Sequence, residues 1–353
     1  PTFSKKVLSW FDEHGRRNLP WQQDSTSYRI WVSEIMLQQT QVSTVIPYYQ
    51  RFMVVFPDIR RLAAANIDDV LHLWAGLGYY ARARNMHKTA VQISRNYGSE
   101  FPTELDKLMS LPGIGRSTAG AILSLSGGEP HPILDGNVKR VLSRYYAVKG
   151  WPGSAVVSKV LWSLAERNTP RSRGADYTQG IMDLGAMVCT RRRPHCDQCP
   201  LQDDCLAHTA GRETAYPERK SKKEKAHKST NMLVVRYGSK IYLEKRPEDG
   251  IWGGLYSFPE VKSKDHIPLW IKTTFKSSPS DITALAEVKH SFTHLDLDIQ
   301  PFVVRLTTEP ADTSRKTVSI WHEPGSLLNV GVAAPISGLI QTITTAGCIG
   351  SKV

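Results

Sequence analysis

The sequence predicts a mostly α N-terminal region followed by an α+β C-terminal domain, and a change of period carries that prediction. From residue 3 to about 188, apolar residues recur three and four apart, as an amphipathic helix requires; from residue 231 the spacing falls to two, as in a half-buried strand. The segment between is the third observation. "PERKSKKEKAHKS", residues 217–229, has almost no apolar residue to bury and reads as a solvated linker. The expected organisation is a helical region at 1–215, a basic linker at 216–230 and a mixed domain at 231–353.

Within the first region Gly and Pro punctuate helical segments such as "ELDKLMSLPGIG", "STAGAILSLSGG" and "VLWSLAERNTP". Beyond the linker, "MLVVRYGSKIYLEKR" reads as two strands joined at Gly238 and Ser239. "LDLDIQPFVVRL" sets Leu295, Leu297 and Ile299 against Asp296, Asp298 and Gln300 on opposite faces of one strand. No internal repeat stands out.

At 353 residues the chain has room for two or three domains, and its 41% hydrophobic content is ordinary for a soluble protein. No run approaches the roughly eighteen apolar residues of a membrane span, and "PTFSKKVLSWFDEHGRR" has no apolar core of the kind secretion needs. The expected setting is a bacterial-type cytosol, at the nucleoid. A net charge of +12 attracts polyanions and releases their counterions, which makes nucleic acid the first candidate partner.

Four of the five cysteines, Cys189, Cys196, Cys199 and Cys205, fall within seventeen residues; Cys348 stands alone. Four thiolates in one short loop suit a tetrahedral zinc or a [4Fe–4S] cube better than a spread of disulfides, and the spacing does not choose between the two metals. Arg191, Arg192 and Arg193 beside the first cysteine suit a DNA phosphate contact.

Three further stretches carry candidate chemistry. In "LPGIGRSTAG", Gly113 and Gly115 allow backbone angles closed to other residues, so that N–H groups point at one anion beside a helix N-terminus. In "ILDGNVKRVLSRYY", Asp135 sits where a helix beginning near Asn137 needs a cap. In "YRIWVSEIMLQQTQV", Glu34, Gln38 and Gln41 at i, i+4 and i+7 form a polar stripe. The stripe alone reads as a solvated face; beside Trp21 and Trp31, Glu34 is a candidate proton donor with a raised pKa.

Taken together, "LPGIGRSTAG", "ILDGNVKRV" and the four-cysteine loop resemble the helix-hairpin-helix glycosylases of the endonuclease III superfamily. "WVSEIMLQQTQV" and "WAGLGYYARARN" resemble its adenine-specific branch, the MutY family, as do "LEKRPEDGIWGGLYSFPE" and "HSFTHLDLDI" in the C-terminal region. The resemblance covers nearly the whole chain. It implies a helix-hairpin-helix glycosylase fold, with a six-helix module at about 22–130 and an iron–sulfur and terminal-helix module from 1–21 and 131–215, followed by a Nudix-like lesion-recognition domain.

It also implies a [4Fe–4S] cluster on the four cysteines, and a monomer acting on double-stranded DNA that holds adenine opposite 8-oxoguanine. Glu34 is then the general acid that protonates adenine, ionised Asp135 stabilises or traps the cationic sugar, and Asn137 orients the water or a carboxylate. Gln39, Leu77 and Tyr79, with Thr40 near them, enter the duplex beside the lesion pair. Gly113 and Gly115 grip the DNA backbone.

Where lyase relatives hold a lysine this chain has Ser117, whose hydroxyl forms no Schiff base, so the expectation is a monofunctional enzyme. Lys139 reads as a phosphate contact within reach of an opened sugar. Phe292, Thr293 and His294 occupy the family's lesion loop, with threonine keeping a hydroxyl and adding a methyl. Three alternatives stand beside this reading. A bifunctional endonuclease III-like lyase is disfavoured by Ser117 and by the extra domain. A Nudix hydrolase lacks its box, because "VKSKDHIPLWIKTTF" after "FPE" offers no arginine and clustered glutamates for magnesium. A DNA-binding protein without catalysis is disfavoured by the presence of both carboxyl groups.

Overall fold

The computed structural model describes residues 2–220, 224–310 and 317–345, so Cys348 lies outside the described residues. Before the first strand the described chain forms α1 (Phe3–His14), α2 (Ser27–Leu37), α3 (Val42–Val55), α4 (Ile59–Ala64), α5 (Ile67–Trp74) and α6 (Ala81–Asn96). There follow α7 (Leu105–Met109), α8 (Arg116–Gly127), α9 (Gly136–Tyr145), α10 (Ala155–Asn168), α11 (Gly174–Asp183) and α12 (Leu206–Thr209). The starts are chemically marked: the Asn66 side chain accepts from Asp68 N–H at 3.0 Å, and Ser154 Oγ accepts from Val157 N–H at 3.3 Å. No described helix is long and apolar enough to cross a membrane.

By contact the chain divides into two compact units, each described by itself. In the first, α2 packs on α8 and α1 packs on α11. Phe3, Val7, Trp10 and Phe11 of α1 share a core with Val138, Val141 and Leu142 of α9 and with Leu161 of α10, so the N-terminal helix closes over the segments that lead into the cysteine loop. Asp183 at the end of α11 is fully buried and accepts from Arg16 Nε, Arg16 NH2, Arg16 N–H and Gln179 Nε2 at 2.6–2.9 Å.

The second unit is a mixed sheet with helices. Its strands are β1 (Ala226–Tyr237), β2 (Lys240–Lys245), β3 (Tyr256–Ser257), β4 (Glu260–Val261), β5 (Pro279–Ala284), β6 (Val288–Ser291), β7 (Leu295–Leu306) and β8 (Ser319–His322), with α13 (Ile267–Phe275) and α14 (Ala334–Thr345). The order is β3-β2-β1-β7-β5, with β4 on β1, β6 on β7 and β8 on β2. β1 and β7 run parallel, with Ala226 opposite Leu295, and Ile267, Ile271 and Phe275 of α13 cover Leu233, Val235 and Val304.

Two boundaries differ from the sequence reading. β1 begins at Ala226, inside the segment expected to be linker, because pairing with β7 supplies the backbone partners that the polar sequence does not advertise. Ala65–Arg84, expected in the helical region, clusters with the C-terminal unit. The ties are specific: Lys245 Nζ meets Asp68 Oδ1 at 2.5 Å, and Arg84 NH1 donates to Gly253 O at 2.6 Å.

Candidate active site

The first unit holds a cleft of about 1010 Å³, and the two carboxyl groups singled out in the sequence both line it. That volume suits an organic ligand of nucleotide size. Glu34 reaches it from the last turn of α2. Asp135 reaches it from the N-cap of α9, where Oδ1 accepts from Val138 N–H at 2.8 Å and Oδ2 accepts from Asn137 Nδ2 at 3.1 Å. The capping role and the site role are therefore one geometry, since the cap fixes the carboxylate at the helix's positive end.

The two groups differ electrically. Burial, and then the charge of Asp135, push Glu34 up to about 8. Burial also raises Asp135, but the N–H groups of Val138 and Asn137 and the Arg140 guanidinium all oppose it. A raised pKa lets Glu34 hold a proton near neutral pH, and the donors aimed at Asp135 favour its charged form against burial.

The polar stripe drawn through Glu34, Gln38 and Gln41 is corrected: α2 stops at Leu37, and the glutamines lie in the turn to α3. No apolar residue between Leu37 and Val42 offers a further helical turn anything to bury. Glu34 is half-buried in the cleft rather than on a solvated face, and Gln38, Thr40 and Gln41 line the same cleft from the turn. Gln39 is exposed there with φ +60°, an uncommon angle for a side chain of its size.

The glycine turn is half as expected. Gly113 has φ +79°, and a Cβ there would lie 3.0 Å from Asn85 Cβ. Gly115 is an ordinary extended N-cap with φ −88° and open space around it, because the helix entry needs no left-handed angle at that position. Ser117 lines the cleft and its Oγ accepts from Leu134 N–H at 2.9 Å, which anchors the strand of chain leading into Asp135. Lys139 is half-buried and is not among the residues lining the cleft.

In the second unit Tyr79, φ +50°, is 48% exposed, and its Oη lies 3.5 Å from Thr293 Oγ1. Leu77, expected to enter the duplex, is only 6% exposed, because it turns inward in the loop that Arg82 closes by donating to Gly78 O at 3.1 Å. Phe292 packs on His290 and His294 in the turn between β6 and β7.

Sequence reading missed the residues that join the cysteine loop to the cleft. The Arg144 side chain is buried and donates to Cys189 Sγ at 3.2 Å and to the carbonyls of Thr190, Arg191, Glu213 and Tyr216. One turn earlier, Arg140 donates to Cys189 O at 2.7 Å, Gly185 O at 2.6 Å and Asn137 Oδ1 at 2.8 Å. Their i, i+4 spacing on "VKRVLSR" was the available signal. A π-helical turn, Leu184–Val188, follows α11, and Gly185 in it lets Asn137 approach: a Cβ there would lie 2.6 Å from Asn137 Cβ.

All four cysteines are half-buried and in no disulfide, and together with Arg144, His208 and Glu213 they line one small void of about 20 Å³. Burial raises Cys196 to about 11 and Cys199 to about 12, with each thiol raised further by its neighbours' charge. Four soft donors converging where free thiolates are penalised, with the Arg144 guanidinium beside them to balance the net negative charge of a thiolate-bound core, fit an iron–sulfur centre. Arg191, Arg192 and Arg193 of the loop are exposed.

Comparison with known proteins matches these parts one by one. Residues 32–167 match the HhH-GPD superfamily of base excision DNA repair proteins, 189–205 the iron-sulfur binding domain of endonuclease III, and 231–342 the NUDIX domain. An adenine DNA glycosylase of Buchnera aphidicola subsp. Schizaphis graminum is 40% identical over 339 residues, 96% of this chain and 98% of its own length. The chain belongs to the adenine DNA glycosylase family. A human adenine DNA glycosylase is 31% identical over 415 residues, covering 99% of this chain and 76% of that one. A thermostable thymine-DNA glycosylase has the same fold over 59% of this chain and 95% of its own, at 27% identity and a TM-score of 0.54. Membership makes the chain a DNA N-glycosylase of base excision repair, and the matched segment 189–205, which carries the four-cysteine loop, supports a [4Fe–4S] cluster.

Proposed function

We propose that this glycosylase removes adenine from duplex DNA where it is mispaired with 8-oxoguanine or guanine, and that it is monofunctional. The observation that carries the reading is the convergence of Glu34 and Asp135 on one cleft, with burial pushing Glu34 up to about 8 and N–H donors aimed at the Asp135 carboxylate. Adenine leaves the stack to reach the cleft, at a few kcal/mol of unstacking that a surface of net charge +12 helps offset by binding phosphate.

Protonated Glu34 gives its proton to adenine N7, so a neutral base departs. Asp135 in its charged form, which two backbone N–H groups and Arg140 favour against the burial that raises its pKa, faces the cationic sugar and stabilises it or traps it until water completes hydrolysis. Asn137, fixed between Asp135 and Arg140, orients that carboxylate. When bound, the [4Fe–4S] cluster supplies four iron–thiolate bonds that tie the loop together. Ser117 supports the monofunctional reading, since its hydroxyl is already committed to Leu134 N–H and offers no amine. Gln39, Thr40 and Tyr79 attend the lesion pair, Leu77 reaches it only if its loop turns outward, and Phe292, Thr293 and His294 read 8-oxoguanine. The working species is a monomer on double-stranded DNA.

The test is single-turnover adenine release from A opposite 8-oxoguanine, A opposite G and A opposite T, with strand breakage scored separately. Base release from the first two without breakage is expected. Release of oxidised pyrimidines with strand cleavage would replace this reading by a bifunctional one.

A further inference from the structure

The second unit contains a strained tryptophan that neither the sequence motifs nor the reaction explains. Trp252 has φ +54°, an angle that bulky side chains almost never adopt, yet it is only 8% exposed. Strain of this kind persists only where neighbours over-determine it. Here they do so from both sides. Arg246 Nε donates to Ile251 O at 2.9 Å, Gly254 N–H donates to Pro247 O at 3.0 Å, and Arg84 NH1 donates to Gly253 O at 2.6 Å.

The indole held in this way lies against the lesion loop. Its ring centroid is 5.6 Å from that of His290 and 5.6 Å from that of Phe292, while His290 and Phe292 meet edge to face at 4.5 Å. Phe292 N–H donates to Leu295 O at 2.7 Å and closes the turn, which leaves Thr293 exposed at its tip, opposite Tyr79 Oη. Arg84 lies five residues beyond Tyr79 and Phe292 next to Thr293, so the strained turn touches a neighbour of each partner of the Tyr79–Thr293 contact.

We infer that Trp252 is a positioning residue for lesion discrimination: its indole holds the 292–294 turn where Thr293 meets Tyr79, and the backbone strain is tolerated to place it there. This rests on the proposal that the 292–294 turn reads 8-oxoguanine.

The test is the ratio of single-turnover adenine release opposite 8-oxoguanine to that opposite guanine, measured with melting temperature for the wild type, Trp252→Phe and Trp252→Gly. Phenylalanine keeps an aromatic face and should keep the ratio within about twofold, whereas glycine relieves the backbone angle, removes the ring and should lower the ratio about tenfold, the scale of losing two aromatic contacts. A merely structural role would move melting temperature and both rates together and leave the ratio unchanged. A glycine variant that retains the wild-type ratio overturns the assignment. A wild type that does not distinguish the two substrates sinks the lesion reading itself, and Trp252's role with it.

Discussion

Raising the pH from 7 to 9 should slow the chemical step about tenfold, and Glu34 is the reason. A carboxyl titrating at about 8 is about 90% protonated at pH 7, whereas one at the ordinary 4.5 would be about 0.3% protonated, so the cleft raises the available acid about 300-fold. The sign follows from the role: the donor must carry its proton, so activity is present below the raised pKa and lost as pH rises through it. At pH 9 the acid form is about 10% of the total, which sets the tenfold fall. Asp135 must be ionised, so an acid limb appears as pH falls through its own raised value.

The assay is single-turnover adenine release in rapid-quench format from pH 5 to 9.5, with enzyme in excess so that product release does not intrude. Glu34→Gln should lose about 10²–10⁴ in rate and the alkaline limb together. A profile flat from pH 7 to 9.5, or an alkaline limb that survives in Glu34→Gln, would refute the assignment of the proton to this residue.

Three further outcomes follow from the same geometry. Ser117→Lys places an amine in the cleft, so borohydride should trap the enzyme on abasic DNA and strand breakage should appear; its melting temperature should also fall, by the equivalent of about 1–3 kcal/mol, because the Leu134 N–H loses its acceptor. Gly185→Ala drives a methyl into Asn137 and should cost about 1–3 kcal/mol of stability while slowing adenine release more than it weakens DNA binding, as gel-shift and single-turnover measurements will show. Arg144→Met removes donors to Cys189 Sγ and four loop carbonyls, so iron and sulfide content per protein should drop, with loss of visible absorption.

Much of the site was legible because its signals are local. The cysteine spacing places four thiols in one loop whatever the rest of the chain does, and the aspartate before "GNVKRV" caps a helix by rules that operate over three residues. The lapses are equally physical. Gly115 looked like Gly113 because composition does not report φ, and only one of the two takes a left-handed angle. The glutamine stripe assumed that a helix continues past its last apolar residue. Ala65–Arg84 read as one more helical stretch, because nothing in its period reveals that Asp68 and Arg84 find partners in Lys245 and Gly253, about 170 residues onward. Arg140 and Arg144 show nothing in the sequence beyond their i, i+4 spacing, because the loop carbonyls that receive them lie about 45 residues onward.

The sequence by itself determined the helical and strand periods, the thiol set, the absence of a lysine at position 117, and the identity of both carboxyl groups. The tertiary structure alone decided that the two carboxyls share one cleft and that Glu34 is pushed up to about 8 there. Acidity depends on the water removed from around a group and on charges close in space, and the charge that helps raise Glu34 belongs to a residue about a hundred positions away, whose distance no local pattern encodes.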